Sequence, residues 1–207
     1  MTPQGLLILG FGGHARSVAD VALDLGIPRL AFVEAHVRPG DEFAGFPVVA
    51  SMPGALQPGW AVLPAAGDNA ERRLQFEGAT SRAWPIERLI SKRAYCGKGA
   101  TIGAGSFVAH HAHLGPMVRV GRAAIINTAA VVDHESKIGD FAHVSVNTTI
   151  AGRCQIGNFV FVGAGATVID KVRVADHVII GAGATVVDDI TEAGIYVGCP
   201  ARRVEGK

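Results

Sequence analysis

The sequence predicts a small α/β domain of the Rossmann-like type, followed by an all-β parallel β-helix of about five coils. Two patterns predict this fold class. Short apolar runs alternate with helical patterns over the first 80 or so residues, and from Ile102 an aliphatic side chain recurs at every sixth position. We place the boundaries at 1–85 for the α/β domain, 86–99 for a linker, 100–191 for the β-helix and 192–207 for a terminal cap and tail.

The composition bounds the class of protein. With 207 residues, of which 49% are hydrophobic and 18% charged, the chain can bury a core and does not resemble a disordered tail. A net charge of +1 predicts no nucleic-acid partner. No apolar run reaches the length of a membrane span and no signal sequence is evident, so we expect no membrane partner. The three cysteines lack metal or redox spacing, which favours the reducing cytoplasm.

The elements of the first domain follow from alternating patterns. In chain order they are a strand over 6–9, a helix over 15–25, strands over 30–33, 47–49 and 60–63, and a helix over 68–76. Asp68 or Asn69 is the predicted N-cap of the second helix. Because strands alternate with helices, we expect a parallel sheet that binds ligands at the carboxyl ends of its strands.

The turn after the first strand is a candidate binding element. Gly12 and Gly13 would let backbone N–H groups approach a phosphate at the start of the helix, where His14 also stands. A tight turn that needs glycine is the alternative explanation, because this shortened dinucleotide fingerprint is weak on its own. Gly67 follows a later strand and could form a second loop at the same edge of the sheet.

A strict six-residue repeat predicts the second domain. Fifteen consecutive positions in register, from Ile102 to Val186, are aliphatic. Each hexapeptide can supply one short strand and one corner with its aliphatic side chain inward, so three hexapeptides make a coil of 18 residues and fifteen make five coils. The next position in register is Glu192, and we therefore expect the remaining residues to cap the last coil.

Histidines are the candidate catalytic residues of the β-helix. His134 lies between Asp133 and Glu135 at a predicted corner, and a histidine beside a carboxylate suits a general base, with a surface ion pair as the alternative. His143 follows nine residues later at another predicted corner, and the sequence does not decide which of the two histidines abstracts a proton.

A second group of histidines raises the question of a metal site. His110, His111 and His113 fall within one hexapeptide and its corner, where they would point in different directions. Three ligands that do not converge cannot hold zinc within one chain, so we expect no metal.

The chain resembles the hexapeptide sugar acyltransferases of the NeuD/PglD type over nearly its whole length. The resemblance rests on the segments 12–15, 67–69, 126–128, 132–135, 141–146 and 197–202. It implies a left-handed β-helix, a homotrimer with active sites between neighbouring β-helices, acetyl-CoA as the acyl donor and a nucleotide-sugar as the acceptor. Two segments depart from the family pattern: Glu34-Ala35, where relatives often have an acidic pair, and residues 91–94, where relatives usually read His-Pro-Ser-Ala.

The resemblance also implies roles for individual residues. His134 would be the general base, Glu135 would raise its basicity, and His143, Ala164 and Ala182 would contact acetyl-CoA. Ala164 and Ala182 are 18 residues apart, so the coil count independently stacks them on one face. The residues that would bind the nucleotide-sugar are Gly12, Gly13, His14, Glu34, Gly67 and Asn127.

These observations lead us to expect an N-acetyltransferase that acts on the amine of a UDP- or GDP-linked 4-amino-deoxy sugar. Transfer would be direct, because no Ser or Cys nucleophile is evident. The alternatives are an O-acetyltransferase of sialic acid or a related sugar, a zinc-dependent β-helix carbonic anhydrase, and a non-catalytic β-helix module. The anhydrase would need three histidines that converge across a subunit boundary, and the module would leave the His134–Glu135 corner without a purpose.

Overall fold

A computed structural model of the chain describes residues 2–204, and its first part is an α/β sheet domain. Its elements are β1 (Gly5–Leu9), α1 (Gly13–Asp24), β2 (Leu30–Val33), β3 (Glu42–Phe43), β4 (Phe46–Val49), β5 (Trp60–Pro64) and α2 (Asn69–Ser81). The strand order is β3-β4-β2-β1-β5, and every pairing is parallel except the β3–β4 hairpin. The predicted elements are therefore confirmed, while the edge strand β3 had no clear signal in the sequence.

The central strand β1 determines where a ligand could bind in this domain. It pairs with β2 on one side and β5 on the other, so the chain reverses its order across the sheet at β1 and β5. The crevice at such a switch point lies at the carboxyl ends of the strands. Here that crevice lies between the turn at 10–13 and the loop at 65–68.

The rest of the chain forms a three-sided parallel solenoid. Face 1 consists of β6 (Leu89–Ile90), β9 (Phe107–Val108), β12 (Ile125–Ile126), β15 (His143–Val144), β18 (Phe161–Val162), β21 (Val178–Ile180) and β23 (Gly194–Val197). Face 2 consists of β7 (Tyr95–Cys96), β10 (His113–Leu114), β13 (Val131–Val132), β16 (Thr149–Ile150), β19 (Thr167–Val168) and β22 (Thr185–Val186). Face 3 consists of β8 (Thr101–Ile102), β11 (Arg119–Val120), β14 (Lys137–Ile138), β17 (Gln155–Ile156) and β20 (Arg173–Val174). Strand partners are 18 residues apart, as the repeat predicts.

The predicted linker over 86–99 is wrong, because this segment already forms part of the first coil. Leu89 pairs in register with Phe107, and Tyr95 pairs with His113. The six-residue aliphatic repeat extends back to Ile90, with Cys96 in place of an aliphatic residue between Ile90 and Ile102. Because of this cysteine, the predicted β-helix begins too late. The solenoid therefore has about six coils rather than five.

The last strands end the solenoid. β23 adds to face 1 in parallel, and β24 (Arg202–Val204) folds back on it as an antiparallel partner. Residues 205–207 of the predicted tail lie outside the described residues. Neither helix of residues 2–204 has the length and apolar character of a membrane span.

From residue 99 to residue 183, each corner of the solenoid contains one residue with a positive φ. These residues are six positions apart and, apart from glycines, include His111, Met117, Ala123, Ala129, Glu135, Phe141, Asn147, Arg153, Phe159, Lys171 and His177. The glycines that follow the inward aliphatic residues have another purpose. A Cβ on Gly139 would stand 2.5 Å from the carbonyl carbon of Gly157 in the next coil, so these glycines permit close stacking of coils.

Candidate active site

An interdomain cleft forms where the carboxyl edge of the α/β sheet packs against face 1 of the solenoid. We define the cleft by His14, Gly67, Asn127 and His143. His143 Nδ1 lies 3.4 Å from the carbonyl oxygen of Gly67, and His143 Nε2 lies 3.4 Å from Asn127 Nδ2. The ring centroids of His14 and His143 are 6.3 Å apart. Four residues predicted from separate segments therefore lie together.

His143 is not at a corner, contrary to the sequence-based prediction. It is the first residue of β15, and its ring points outward from face 1 because Val144 takes the inward position. The α/β domain covers this part of the face, so His143 is only 8% exposed. Its ring also packs edge-on against Phe161, with the centroids 5.1 Å apart.

Both cleft histidines are neutral at neutral pH. Burial, followed by the nearby charge of Arg72, lowers the pKa of His143 to about 4, although the hydrogen bond to the Gly67 carbonyl opposes the shift. Burial, His143 and Arg72, in that order, lower the pKa of His14 to about 3. The carbonyl oxygen of Gly67 can only accept, so Nδ1 of His143 holds the proton and Nε2 accepts from the Asn127 amide.

The turn at 10–13 has room for a ligand. A Cβ on Gly12 or Gly13 would meet nothing within 4 Å, and no side chain caps the start of α1. The glycine that the turn itself requires is Gly10, whose φ is +110°. Because packing does not explain Gly12 and Gly13, their position favours an anion at the helix N-terminus over the tight-turn explanation.

Two cavities lie beside this turn and helix α1. The first, of about 310 Å³, is lined by Gly12, Glu34, Arg16 and Arg38, among others. The second, of about 360 Å³, lies between α1 and the solenoid and includes Thr128. Arg16 lines both cavities, so they adjoin at this side chain; one lies at the end of β2 and the other reaches the corner after β12.

The loop at 67–69 mainly joins the two domains. Asp68 is the N-cap of α2, and its Oδ1 accepts from the backbone N–H groups of Ala70 and Glu71 at 2.9 and 2.8 Å. Asn69 Nδ2 donates to the carbonyl of Phe159 in the solenoid at 2.9 Å. The contact of this loop with the cleft is the carbonyl oxygen of Gly67, which faces Nδ1 of His143.

Sequence reasoning missed Arg72, which is fully buried behind this loop. The signal was its position on α2, because Arg72, Phe76 and Ala79 form the buried stripe of that helix. An arginine within an apolar stripe indicates a buried polar contact.

His134 lies away from the cleft, at the corner between faces 2 and 3 (corner 2–3). It is half-buried, and its ring rests on Gly152 of the next coil, where an added Cβ would stand 2.5 Å from Nε2. Glu135 is exposed, and within residues 2–204 no hydrogen bond or ion pair joins its carboxylate to the His134 ring. Asp133 Oδ1 accepts from the backbone N–H of His134 at 2.6 Å and does not orient the ring.

Ala164 and Ala182 stack at the corner between faces 1 and 2 (corner 1–2) rather than on a flat face. The N–H of Gly183 donates to the carbonyl of Ala164 at 2.9 Å, and both alanines are exposed. Thr128 belongs to the same column, two coils before Ala164. Corner 1–2 therefore continues from the cleft along the solenoid, whereas His134 is separated from it by the width of face 2.

Three other histidines make separate contacts. His110 Nδ1 lies 2.6 Å from Ser91 Oγ and its Nε2 lies 3.1 Å from Asp20 Oδ2. His113 stacks on Tyr95 on face 2, and His177 stacks on Phe159. Over residues 2–204, no cluster of three or more His, Cys, Asp or Glu side chains has an arrangement that could hold a metal ion.

Comparison with known families identifies both parts of the chain. Residues 5–78 match the model of the PglD N-terminal domain, and residues 153–188 match the bacterial transferase hexapeptide model of six repeats. No curated protein sequence matches the chain significantly.

Several solved structures share the whole architecture. The acetyltransferase domain of PglB from Neisseria gonorrhoeae is 31% identical, with a TM-score of 0.92 over 97% of this chain and 100% of that chain. The same domain in complex with acetyl coenzyme A is 30% identical over 98% and 100% of the two chains, with a TM-score of 0.90. A histidine-to-asparagine mutant of perosamine N-acetyltransferase from Caulobacter crescentus, in complex with CoA and GDP-perosamine, is 28% identical, with a TM-score of 0.90 over 98% and 97%.

Proposed function

The chain belongs to the NeuD/PglD-type family of hexapeptide-repeat acyltransferases, and we propose that it transfers the acetyl group of acetyl-CoA to the amine of a UDP- or GDP-linked 4-amino-deoxy sugar. The observation that carries this proposal is the interdomain cleft, where an uncapped helix start, two neutral histidines and an amide converge. The relatives solved with acetyl coenzyme A, or with CoA and GDP-perosamine, support the choice of donor and acceptor.

In this proposal the acceptor nucleotide-sugar occupies the two cavities beside α1. The N–H groups at the start of α1, with Arg16 and Arg38, would bind the diphosphate, and Glu34 would accept from the ribose hydroxyls. The sugar would then occupy the second cavity, which ends at Thr128. This orientation brings the sugar amine towards corner 1–2.

Face 2 is the surface best suited to self-association. Its outward-facing strand residues include no Asp, Glu, Lys or Arg; they are Tyr95, His113, Val131, Thr149, Thr167 and Thr185. Face 3 instead places Arg119 directly beside Lys137, with Arg173 further along, and none of the three forms an ion pair within residues 2–204. Two copies of face 3 would repel each other, so we place face 2 at the threefold axis of a homotrimer.

This packing would complete the active site with a residue from the neighbouring chain. Corner 1–2 and corner 2–3 are the two edges of face 2, so a ring of three chains brings corner 2–3 of one against corner 1–2 of the next. Asn127 and His134 belong to the same coil and therefore lie at the same height. His134 of the partner subunit would thus face Asn127, and Ala164 and Ala182 would line the path of acetyl-CoA.

The chemistry requires one base and one set of donors. The amine nitrogen attacks the thioester carbon, so that a C–N bond forms and the carbonyl oxygen becomes an oxyanion. Donors such as the Asn127 amide stabilise this oxyanion, while His134 takes a proton from the nitrogen. The C–S bond then breaks, and the CoA thiolate receives the proton from His134. No acyl-enzyme is formed, and no metal takes part in these steps.

Mixing two inactive variants tests the shared site. We would combine His134→Ala chains with Asn127→Ala chains and allow subunits to exchange. If each site takes His134 from one chain and Asn127 from its neighbour, about a quarter of the sites in an equal mixture are intact. Activity that stays at the level of the separate variants after proven exchange would contradict a site shared between chains.

The acceptor is tested with a panel of sugars. We compare a UDP- or GDP-linked 4-amino sugar with the same sugar lacking the nucleotide, and with free sialic acid. The proposal predicts that loss of the nucleotide lowers kcat/KM strongly, because the handle holds the amine in place. An unchanged kcat/KM would remove the nucleotide site, and sialic acid as best acceptor would establish O-acetylation instead.

A further inference from the structure

Within residues 2–204, Arg72 is a buried cation that donates no hydrogen bond to a carboxylate. The side chain is 0% exposed, and burial lowers its pKa to about 10 while Asp68 raises it, so the guanidinium is charged at neutral pH. All three nitrogens donate to oxygen atoms that carry no formal charge. A buried charge of this kind is costly to maintain, and it therefore needs an explanation beyond ordinary packing.

The contacts of Arg72 join three segments of the chain. Nε donates to the carbonyl of Ala123 and Nη2 to that of Phe141, both at 2.7 Å, and these residues lie on successive coils of the solenoid. Nη1 donates to the carbonyls of Ala66 at 3.0 Å and Gly67 at 3.2 Å. Arg72 thus fixes the loop after β5 to the solenoid.

The carbonyl of Gly67 connects Arg72 with the cleft. Its oxygen accepts from Arg72 Nη1 and also from Nδ1 of His143 at 3.4 Å. Nε2 of His143 then accepts from the amide of Asn127, whose Oδ1 is already bonded to the backbone N–H of Thr128 at 2.8 Å. The orientation of this amide therefore depends on a chain of contacts that begins at Arg72.

We propose that Arg72 is a positioning residue, which holds the ring of His143 and, through it, presents the amide of Asn127 to the reacting groups. The proposal rests on the proposed function for the identity of those groups. The charged groups that face His143 are Arg72 from α2 and, when protonated, His14 from α1, while Asp68 at the start of α2 opposes Arg72. With His143 held neutral, its Nε2 stays an acceptor and the second N–H of the Asn127 amide stays free for the cleft.

A pair of variants separates charge from geometry. Arg72→Gln removes the charge, whereas Arg72→Lys keeps the charge but cannot span the carbonyls on both sides. We would follow the His143 ring by NMR titration of the protein without substrates. The pKa of His143 should rise by about one unit or more in Arg72→Gln and stay close to the wild-type value in Arg72→Lys. Each variant should lose roughly tenfold or more in kcat, with a smaller change in the KM for acetyl-CoA.

Two results would overturn the proposal. In one, both variants lower the melting temperature while the His143 titration and kcat stay at the wild-type values, which is the pattern of a purely structural residue. In the other, which applies even if Arg72→Gln does not fold, Arg72→Lys keeps kcat within twofold of wild type. The His143 titration uses no substrate, so its result does not depend on the identity of the acceptor. If the protein acetylates a different acceptor, the comparison of sugars contradicts the proposed function, while the titration still tests the role of Arg72.

Discussion

His143 and His134 lie half a coil apart along the solenoid, yet their surroundings differ. His143 is covered by the α/β domain, bonded at both ring nitrogens and held neutral down to about pH 4. His134 stands at an open corner with its ring against the backbone of Gly152, and among residues 2–204 its hydrogen bonds are made by its main chain alone.

This difference distinguishes a proton-accepting role from a positioning role, a choice between His134 and His143 that the sequence alone does not decide. A ring whose nitrogens are both engaged can orient other groups, but it is poorly placed to take up a proton. A ring that is half-buried and free can exchange protons with an acceptor brought to it by a neighbouring chain. This contrast favours His134 as the base and His143 as part of the rigid cleft.

Replacement of His134 should have the largest effect. His134→Ala should lower kcat by roughly 10²–10⁴-fold, the usual contribution of a general base, while the Kd of acetyl-CoA stays close to wild type. His177→Ala, which removes a different corner histidine, one that is exposed to solvent, is the control and should retain full activity. A loss below tenfold would transfer the role of base to His143.

The buried histidine should make stability depend on pH. The folded pKa of His143 is about 4, below the ordinary 6.5, so the unfolded chain binds more protons between these values. The stability that this neutral ring contributes is complete above about pH 6.5 and is lost as the pH falls to about 4, by roughly 3 kcal/mol. Urea unfolding of the wild type and of His143→Gln at pH 7 and pH 4 isolates this share, because His14, with a pKa of about 3, contributes to the pH dependence of both proteins. His143→Gln should show a flatter dependence, and equal slopes for both proteins would contradict the expectation.

Gly152 should matter because of the ring above it. An added methyl group would stand 2.5 Å from His134 Nε2, so Gly152→Ala must displace the ring. A shift of about 1 Å in a reacting group can cost up to a hundredfold, and we expect kcat to fall by at least roughly tenfold with the fold intact. Gly54→Ala, where a Cβ meets nothing within 4 Å, is the control. Equal activity of the two variants would mean that His134 does not act in this orientation.

The cap of α2 should have a smaller effect, on stability. Asp68→Ala removes the acceptor for two backbone N–H groups and should cost about 1 kcal/mol, whereas Asp68→Asn should cost little because Asn is an equally good cap. The melting temperatures of the two variants test this. If both fall equally, the charge of Asp68 beside Arg72 is the important feature rather than the cap.

Removal of metal should have no effect. The acetyl transfer needs a base and hydrogen-bond donors, and among the described histidines His110 and His113 are held by separate contacts. Turnover after treatment with EDTA should equal that of untreated protein. Stoichiometric zinc in the purified protein, together with turnover that EDTA abolishes, would restore the carbonic anhydrase alternative.

The solenoid could be predicted from sequence because its period is fixed by covalent geometry. Three hexapeptides return the chain to the same face, so the partners of Ile126 and Ala164 can be counted. The positive φ angles at the corners could not be predicted in this way, because most of these positions are occupied by residues other than glycine, such as Phe141 and Lys171. Regular coil stacking imposes this conformation on whichever residue stands there, so the sequence contains no local signal for it.

The cleft was only partly predictable because it depends on how two domains pack. Gly12, His14 and Gly67 could be found as residues that follow strands of the sheet. That His143 would lie beneath them depends on the contacts of Arg72, and these are made chiefly with main-chain carbonyls, which every residue possesses. A sequence can indicate that an arginine is buried, but it does not indicate which carbonyls the side chain will reach.

The part of corner 1–2 that runs from Thr128 to Ala182 has a length fixed by the number of coils it crosses. Three coils separate these residues, and one coil advances by about 4.8 Å, so the corner measures about 14 Å along the axis. Removal of 18 residues between them would keep every inward aliphatic side chain in register and shorten this distance by one coil, about 4.8 Å. If acetyl-CoA lies along this corner, as proposed above, the length available to it therefore changes in whole coils of about 4.8 Å.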